Sequence, residues 1–291
     1  MRKLLITGAS GFLGWNLCQV ARAEWEVHGI SHRHPLSIPD VRLERVDLTN
    51  AELVAAAIDR IAPDAIIHAA AASSPNLCQE QPIPSAQINI TATQILAQIC
   101  AGAEIPLVFT STDLVFDGTQ PPYLETDPVS PLNIYGEQKV AAERAILAAY
   151  PQATICRMPL MFGMAPPAAT SFIQPWLTSM RADRSLQLFV DEFRTPVSAT
   201  TAAQGLLLAL QHGSEIIHLG GSERISRYDF GCLLAEVFQL DSALLSPIDR
   251  RDLPMTAPRA ADVSLDNHKA ISLGYKLPSL RSELASLSLS L

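Results

Sequence analysis

Apolar and polar positions alternate along the first half of the chain with two different periods. Short runs of β-branched and aliphatic residues at Lys3–Thr7, Glu26–Ser31, Arg42–Val46, Ala65–His68, Leu107–Thr112 and Thr154–Arg157 read as strands. Between them, Phe12–Ala23, Ala51–Ile61, Ser85–Ala101 and Tyr135–Tyr150 repeat their apolar residues three and four apart, over lengths that fit helices. Asn50 is placed to cap the second of these helices. Pro63 after Ile61 and Gly102 after Ala101 are expected to close theirs. This alternation predicts an α/β fold, a doubly wound parallel sheet of the Rossmann type with helices on both faces. Right-handed crossovers then put a ligand at the carboxyl ends of the strands.

Beyond Arg157 the pattern loosens. A Pro-rich stretch, Met164–Pro167, precedes a helix at Ser171–Arg181, a strand-like Leu186–Val190, a helix near Thr201–Gln211 and a strand at Ile216–Leu219. Arg227–Phe238 is a clear helix, and a terminal helix follows polar loops. The expected division is a nucleotide-binding domain over 1–158, to which 188–220 returns. A smaller α/β lobe is then assembled from 159–187 and 221–291.

Composition narrows the class. With 48% hydrophobic and 17% charged residues, the 291-residue chain can bury a large core. A formal charge of −8 argues against a general nucleic-acid binder, which needs a basic face for the phosphates. The apolar opening Leu4–Ile6 breaks off at Thr7-Gly8 with no cleavage pattern behind it, and nowhere do eighteen apolar residues run together. A cytoplasmic protein is the expectation, with Cys18, Cys78, Cys100, Cys156 and Cys232 as reduced, buried fillers, since their scatter fits neither a disulfide framework nor a zinc site. His68, in an apolar run, is expected to be a satisfied core residue. Glu125, Asp127, Asp191 and Glu192 form no assignable pattern, and most of them are expected in solvent.

Two motifs carry chemistry. At the junction of the first strand and helix, Gly8, Ser10, Gly11, Phe12, Leu13 and Gly14 form a Gly-x-x-Gly-x-x-Gly turn. Glycines so spaced permit a tight turn and a close approach to a pyrophosphate, while the helix N-terminus presents free N–H groups. After the second strand the chain reads Ser31-His32-Arg33-His34, without the acid that would hydrogen-bond a ribose and repel a 2′-phosphate. Arg33, assisted by His32 or His34, can instead pair with that phosphate, which favours NADP(H) over NAD(H). Asp47 and Leu48 after the third strand would lie beside the adenine. Ala69, Ala70 and Ala71 after the fourth would let the dinucleotide cross the sheet edge. The second motif is Tyr135-x-x-x-Lys139, preceded by Thr112. Residues four apart share a helix face, so phenol and amine enter one cleft. The Lys cation is expected to lower the phenol pKa, and Thr112, with Ser111 beside it, to polarise a carbonyl.

These motifs together resemble the extended short-chain dehydrogenases/reductases, and in particular the dTDP-4-dehydrorhamnose reductase family. The likeness runs over nearly the whole chain. It is densest in Ser111-Thr112-Asp113-Leu114-Val115-Phe116-Asp117-Gly118, in Pro122–Asp127, and in Pro131–Lys139 with Glu143. Arg194-Thr195-Pro196, Pro258-Arg259, Leu265-Asp266 and Leu273-Gly274 look like the family's substrate-lobe signatures. The resemblance implies reduction of a 4-keto-6-deoxy nucleotide sugar by NAD(P)H, in dTDP-rhamnose biosynthesis, with a homodimer or a partner enzyme as further partner. It puts Thr112, Tyr135 and Lys139 at the catalytic positions, Asp113 on the sugar, and Arg194 and Arg259 on substrate phosphates. Leu114 stands where the family has Tyr, and Ala72–Leu77 lacks its acidic pattern, so the sugar itself stays open. The chain is also similar to the regulatory beta-subunit family of methionine adenosyltransferases, NADP-binding modulators of a partner enzyme. Phe116-Asp117-Gly118-Thr119 and Pro121-Pro122-Tyr123 carry that likeness. Thr112, which those proteins have lost, is kept here.

Overall fold

A computed structural model describes residues 1–32 and 37–289. Seven strands form the central sheet: β1 (Lys3–Thr7), β2 (Glu26–Ser31), β3 (Val41–Arg45), β4 (Ala65–His68), β5 (Leu107–Thr112), β6 (Thr154–Met158) and β7 (Ile216–His218). Every pairing is parallel, in the order β7-β6-β5-β4-β1-β2-β3. The strand order reverses between β1 and β4, the switch point at which such sheets open a crevice.

Period-two alternation explains the two layers. Leu4, Ile6, Ile67 and Val108 point to one face, where α1 (Phe12–Ala21) and a helix at Ala199–Ala209 cover them. Leu5, Ile66, Phe109 and Ile155 point to the other, under α2 (Ala51–Ile61), α3 (Ala92–Ala103) and α4 (Ile134–Ala149). With both faces buried, these strands read as continuous apolar runs, as parallel sheets do. Ala270 and Tyr275, from the last segment, also pack into the first face.

Outside the central sheet the strand pairings are short. Leu186–Phe189 pairs with Leu245–Ile248, and Phe193–Arg194 with Ile225–Ser226. Helices Ile173–Arg181, Arg227–Val237 and Leu280–Ser288 enclose Phe162, Phe230 and Leu234.

Asn50 caps α2, its side chain accepting from Leu53 N–H. Three local readings need correction. Gly102 lies inside α3, which runs to Ala103 and ends on Glu104 at φ 54°. An exposed glycine costs a helix only about 1 kcal/mol, too little to stop it. The helix expected from Ser85 begins instead at Pro82 and passes through a π turn at Gln87–Thr91 before continuing as α3. A separate helix, Pro75–Glu80, was not expected; Ser74 caps it and proline opens it, as proline can at a first turn.

Candidate active site

The site is built on the turn from β1 into α1. Gly8 has φ +72°, and a Cβ there would lie 2.7 Å from the Ala70 backbone, so this turn can press against the loop after β4 only as glycine. A Cβ on Gly14 would likewise collide with the Gly8 carbonyl. Gly11, at the N-cap of α1, offers no side-chain oxygen, so the first-turn N–H groups stay available to an anion.

A cleft of about 370 Å³ opens over this turn along the carboxyl ends of the strands. Its wall joins the whole glycine turn to His32 after β2, Asp47 and Leu48 after β3, Ala69–Ala71 after β4, and Tyr135 with Lys139 on α4. Arg33 lies outside the described residues. Ser111, Met158 and Met161 complete the far end. Sequence reasoning passed over the two methionines, although their position at and just past the end of β6 could have found them. Thr112, Asp113, Arg194 and Arg259 are not part of that wall.

Behind the cleft a directed chain of hydrogen bonds fixes its floor. Thr93 Oγ1 donates to Asn89 O at 2.9 Å, so at 3.0 Å it must accept from His68 Nε2–H. His68 Nδ1 is then the acceptor for Thr7 Oγ1–H at 2.6 Å, and Thr7 accepts from Ala70 N at 3.3 Å. Burial holds His68 down at about 3, so the ring stays neutral, a satisfied core histidine as expected.

Tyr135 and Lys139 behave differently from expectation. Burial raises the Tyr135 phenol well above its usual value; Asp113 and Cys78 add to this, and a hydrogen bond with Thr112 pulls the other way. Lys139 is 1% exposed, with Nζ 4.1 Å from the centre of the Phe109 ring. Burial pushes its amine down to about 7, against the pull of Glu143 and Cys78. The cation does not ease the phenol here. Desolvation disfavours both charged forms, so it drives phenol and amine in opposite directions. Beside them, Leu114 N donates to Thr112 Oγ1 at 3.2 Å, and Thr112 Oγ1 donates to Asp113 Oδ1 at 3.2 Å.

Two buried ion clusters flank the pair, and neither was read from the sequence. Glu143, one turn beyond Lys139, accepts from the Ser111 hydroxyl and from Arg157 through Nε at 3.1 Å and Nη2 at 2.9 Å. Glu192, expected in solvent, is 2% exposed and sits among three guanidinium groups. Arg259 Nη1 lies 3.0 Å, Arg194 Nη2 3.6 Å and Arg227 Nε 3.8 Å from its carboxylate. Arg194 Nη1 also reaches Asp113 Oδ2 at 3.3 Å. Burial opposes the charge on Glu192, but the three arginines win and hold its carboxyl below the usual range. Arg194 and Arg259 are thus already engaged within the protein. Among the described residues no cluster of metal-binding side chains occurs, and no helix is long and apolar enough to cross a membrane.

A seven-stranded parallel sheet with a glycine turn at its switch point and a Tyr–Lys pair on the cleft rim defines an α/β protein of the Rossmann class. The chain belongs to the RmlD substrate binding domain family, whose model matches residues 1–290. It is 31% identical over 281 residues to methionine adenosyltransferase 2 subunit beta of Xenopus laevis, covering 94% of this chain and 83% of that one. It is also 31% identical over 288 residues to a probable low-salt glycan biosynthesis reductase, Agl14, of Haloferax volcanii, covering 97% and 96%. Among solved structures, dTDP-4-dehydrorhamnose reductase of Bacillus anthracis in complex with NADP shares the fold. Its TM-score is 0.88 at 20% identity, with 100% of both chains covered.

Proposed function

We propose that this chain is an NADPH-dependent reductase of a keto sugar nucleotide, related in its chemistry to the dTDP-4-dehydrorhamnose reductases. The observation that carries the reading is Tyr135 and Lys139 on the wall of the same cleft that begins at the glycine turn. The residues fit a dinucleotide. Gly8 and Gly14 let the turn close tightly against the loop after β4 and against α1 beneath the cleft, the α1 N-terminus offers uncapped N–H groups for a pyrophosphate, and His32 and Arg33 follow β2 where a 2′-phosphate would be read. When bound, NADPH supplies a hydride to the carbonyl carbon.

The chain's own residues do the rest. Tyr135 gives its phenolic proton to the carbonyl oxygen as negative charge develops there. Burial raises the phenol and so keeps its proton in place until charge develops on that oxygen. Thr112, whose hydroxyl donates to Asp113 and accepts from Leu114 N–H, is assigned to polarise that carbonyl. Lys139, on the same wall, would hold the ribose next to the nicotinamide. Asp113 is assigned to the sugar. Arg194 and Arg259 are assigned to the phosphates, where an anionic ligand would compete with Glu192 for them.

A second reading has one specific support, the 31% identity to a methionine adenosyltransferase beta subunit. On that reading the cleft binds NADP and the output is regulation of a partner enzyme. A panel of keto sugar nucleotides, with NADPH consumption followed by absorbance, separates the two. Turnover of one member supports the reductase. Tight NADP binding with no consumption across the panel, and co-purification of a second protein, supports the subunit.

A further inference from the structure

Two residues ahead of Tyr135, the buried amide of Asn133 serves two distant segments at once. Its Oδ1 accepts from Gly136 N at 2.9 Å and so caps α4, the helix that carries Tyr135 and Lys139. Its Nδ2 donates to Pro258 O at 3.2 Å, 125 residues further along the chain. Which end of the amide faces which partner is forced, because an N–H needs an acceptor and a carbonyl needs a donor. Asparagine supplies both at this reach. Aspartate would offer two acceptors, and serine a single hydroxyl on a shorter stem.

Pro258 directly precedes Arg259, whose Nη1 meets Glu192 and whose Nε is buried without a partner. Two further side-chain amides hold the same junction. From the helix Pro75–Glu80, Asn76 Oδ1 accepts from Ala257 N at 3.1 Å, and Gln79 Oε1 from Ile134 N at 3.3 Å. Val140 of α4 shares one buried apolar cluster with Phe116, Ala260 and Val263. A Cβ on Gly136 would collide with the Leu114 carbonyl, so the first turn of α4 has no room to shift. The helix start is therefore fixed, and the segment 257–259 is set against it.

We propose that Asn133 is a positioning residue that couples Arg259 to Tyr135. Through Pro258 it sets Arg259 at a fixed distance from the start of α4, so a sugar nucleotide held by its phosphates at Arg259 brings its carbonyl to the phenol. Asn133 is not on the cleft wall and acts through these neighbours. Its part in turnover rests on the reductase reading; the tie between the two segments is a property of the ligand-free protein and is tested there as well.

Asn133→Ser separates the two bonds, since serine caps a helix as well as asparagine does but is too short to reach Pro258 O too. In the ligand-free variant, hydrogen exchange read by mass spectrometry should speed up about fivefold over residues 257–261, the worth of one hydrogen bond. The first turn of α4 should exchange as in the native protein. With the keto sugar nucleotide that the native protein consumes, its KM should rise by about fivefold while KM for NADPH stays within about twofold. Arg259→Ala should raise the same KM. Adding Asn133→Ser to Arg259→Ala should then change it by less than about twofold, because the tie has nothing left to position. Asn133→Asp, which keeps the acceptor and loses the donor, should follow serine. A residue that merely caps α4 would leave exchange and both KM values native in Asn133→Ser. Native exchange over 257–261 in that variant, or independent effects that multiply in the double variant, overturns the proposal. If the native protein consumes no member of the panel, the reductase reading fails, and exchange decides the tie.

Discussion

Lys139→Met tests the electrostatics of the cleft without any ligand. Methionine keeps the length and the contact with Phe109 but carries no proton to lose. In the native fold burial lowers the amine from 10.5 to about 7. The folded state therefore binds fewer protons than the unfolded chain throughout that window, and stability must rise with pH across it. A displacement of about 3.5 pH units corresponds to about 5 kcal/mol of destabilisation well below pH 7, declining by about 1.4 kcal/mol per unit as pH climbs. The variant should therefore be more stable than the native protein by about 4 kcal/mol near pH 7.5, and by about 1 kcal/mol near pH 9.5. Packing changes add a constant, and other titrating groups are shared, so the narrowing of about 3 kcal/mol is the quantity to read. Urea unfolding of the ligand-free proteins at both pH values gives it directly. A difference that stays constant with pH would mean that Lys139 titrates at an ordinary value, and the account of a desolvated amine would fail.

Gly8→Ala forces a side chain onto a residue at φ +72° and against the Ala70 backbone. Thermal unfolding should report a loss of about 1–3 kcal/mol, and NADP(H) titration followed by tryptophan fluorescence a drop in affinity of about tenfold or more. Native affinity in that variant would remove the glycine turn from the cofactor site. Arg33→Ala should weaken NADPH by about tenfold or more while leaving NADH unchanged, as expected for loss of a phosphate contact; equal losses for both would show that Arg33 does not read the 2′-phosphate.

The parts legible in the sequence are those decided locally. Strands β1, β2, β4 and β5 match their expected bounds because each is a short apolar run closed by turn residues. Asn50 and the glycine turn act on their own neighbours, and the four-residue spacing of Tyr135 and Lys139 is a property of one helix. What escaped depends on contacts between distant segments. Glu192 meets Arg227 and Arg259 because Phe193–Arg194 pairs with Ile225–Ser226 and the chain returns beside it at Phe193–Asp262. No window along the chain contains that cluster, and an isolated Asp-Glu pair looks like solvent. The protonation of Tyr135 and Lys139 escaped for a related reason. Spacing puts them together, but their environment comes from Phe109, Asp113 and Cys78, on two other elements and a turn. The helix Pro75–Glu80 was hidden because its proline and asparagine resemble loop residues unless Ser74 is recognised as a cap.

The central claim is that Tyr135 delivers a proton during reduction of a keto sugar nucleotide. It is tested most directly by comparing native protein and Tyr135→Phe on the sugar nucleotide that the native protein consumes. NADPH affinity should stay within about twofold, since phenylalanine keeps the ring on the cleft wall, while NADPH consumption should fall by about a hundredfold or more, the usual worth of a general acid. Consumption within a few-fold of native, at unchanged NADPH affinity, would contradict it.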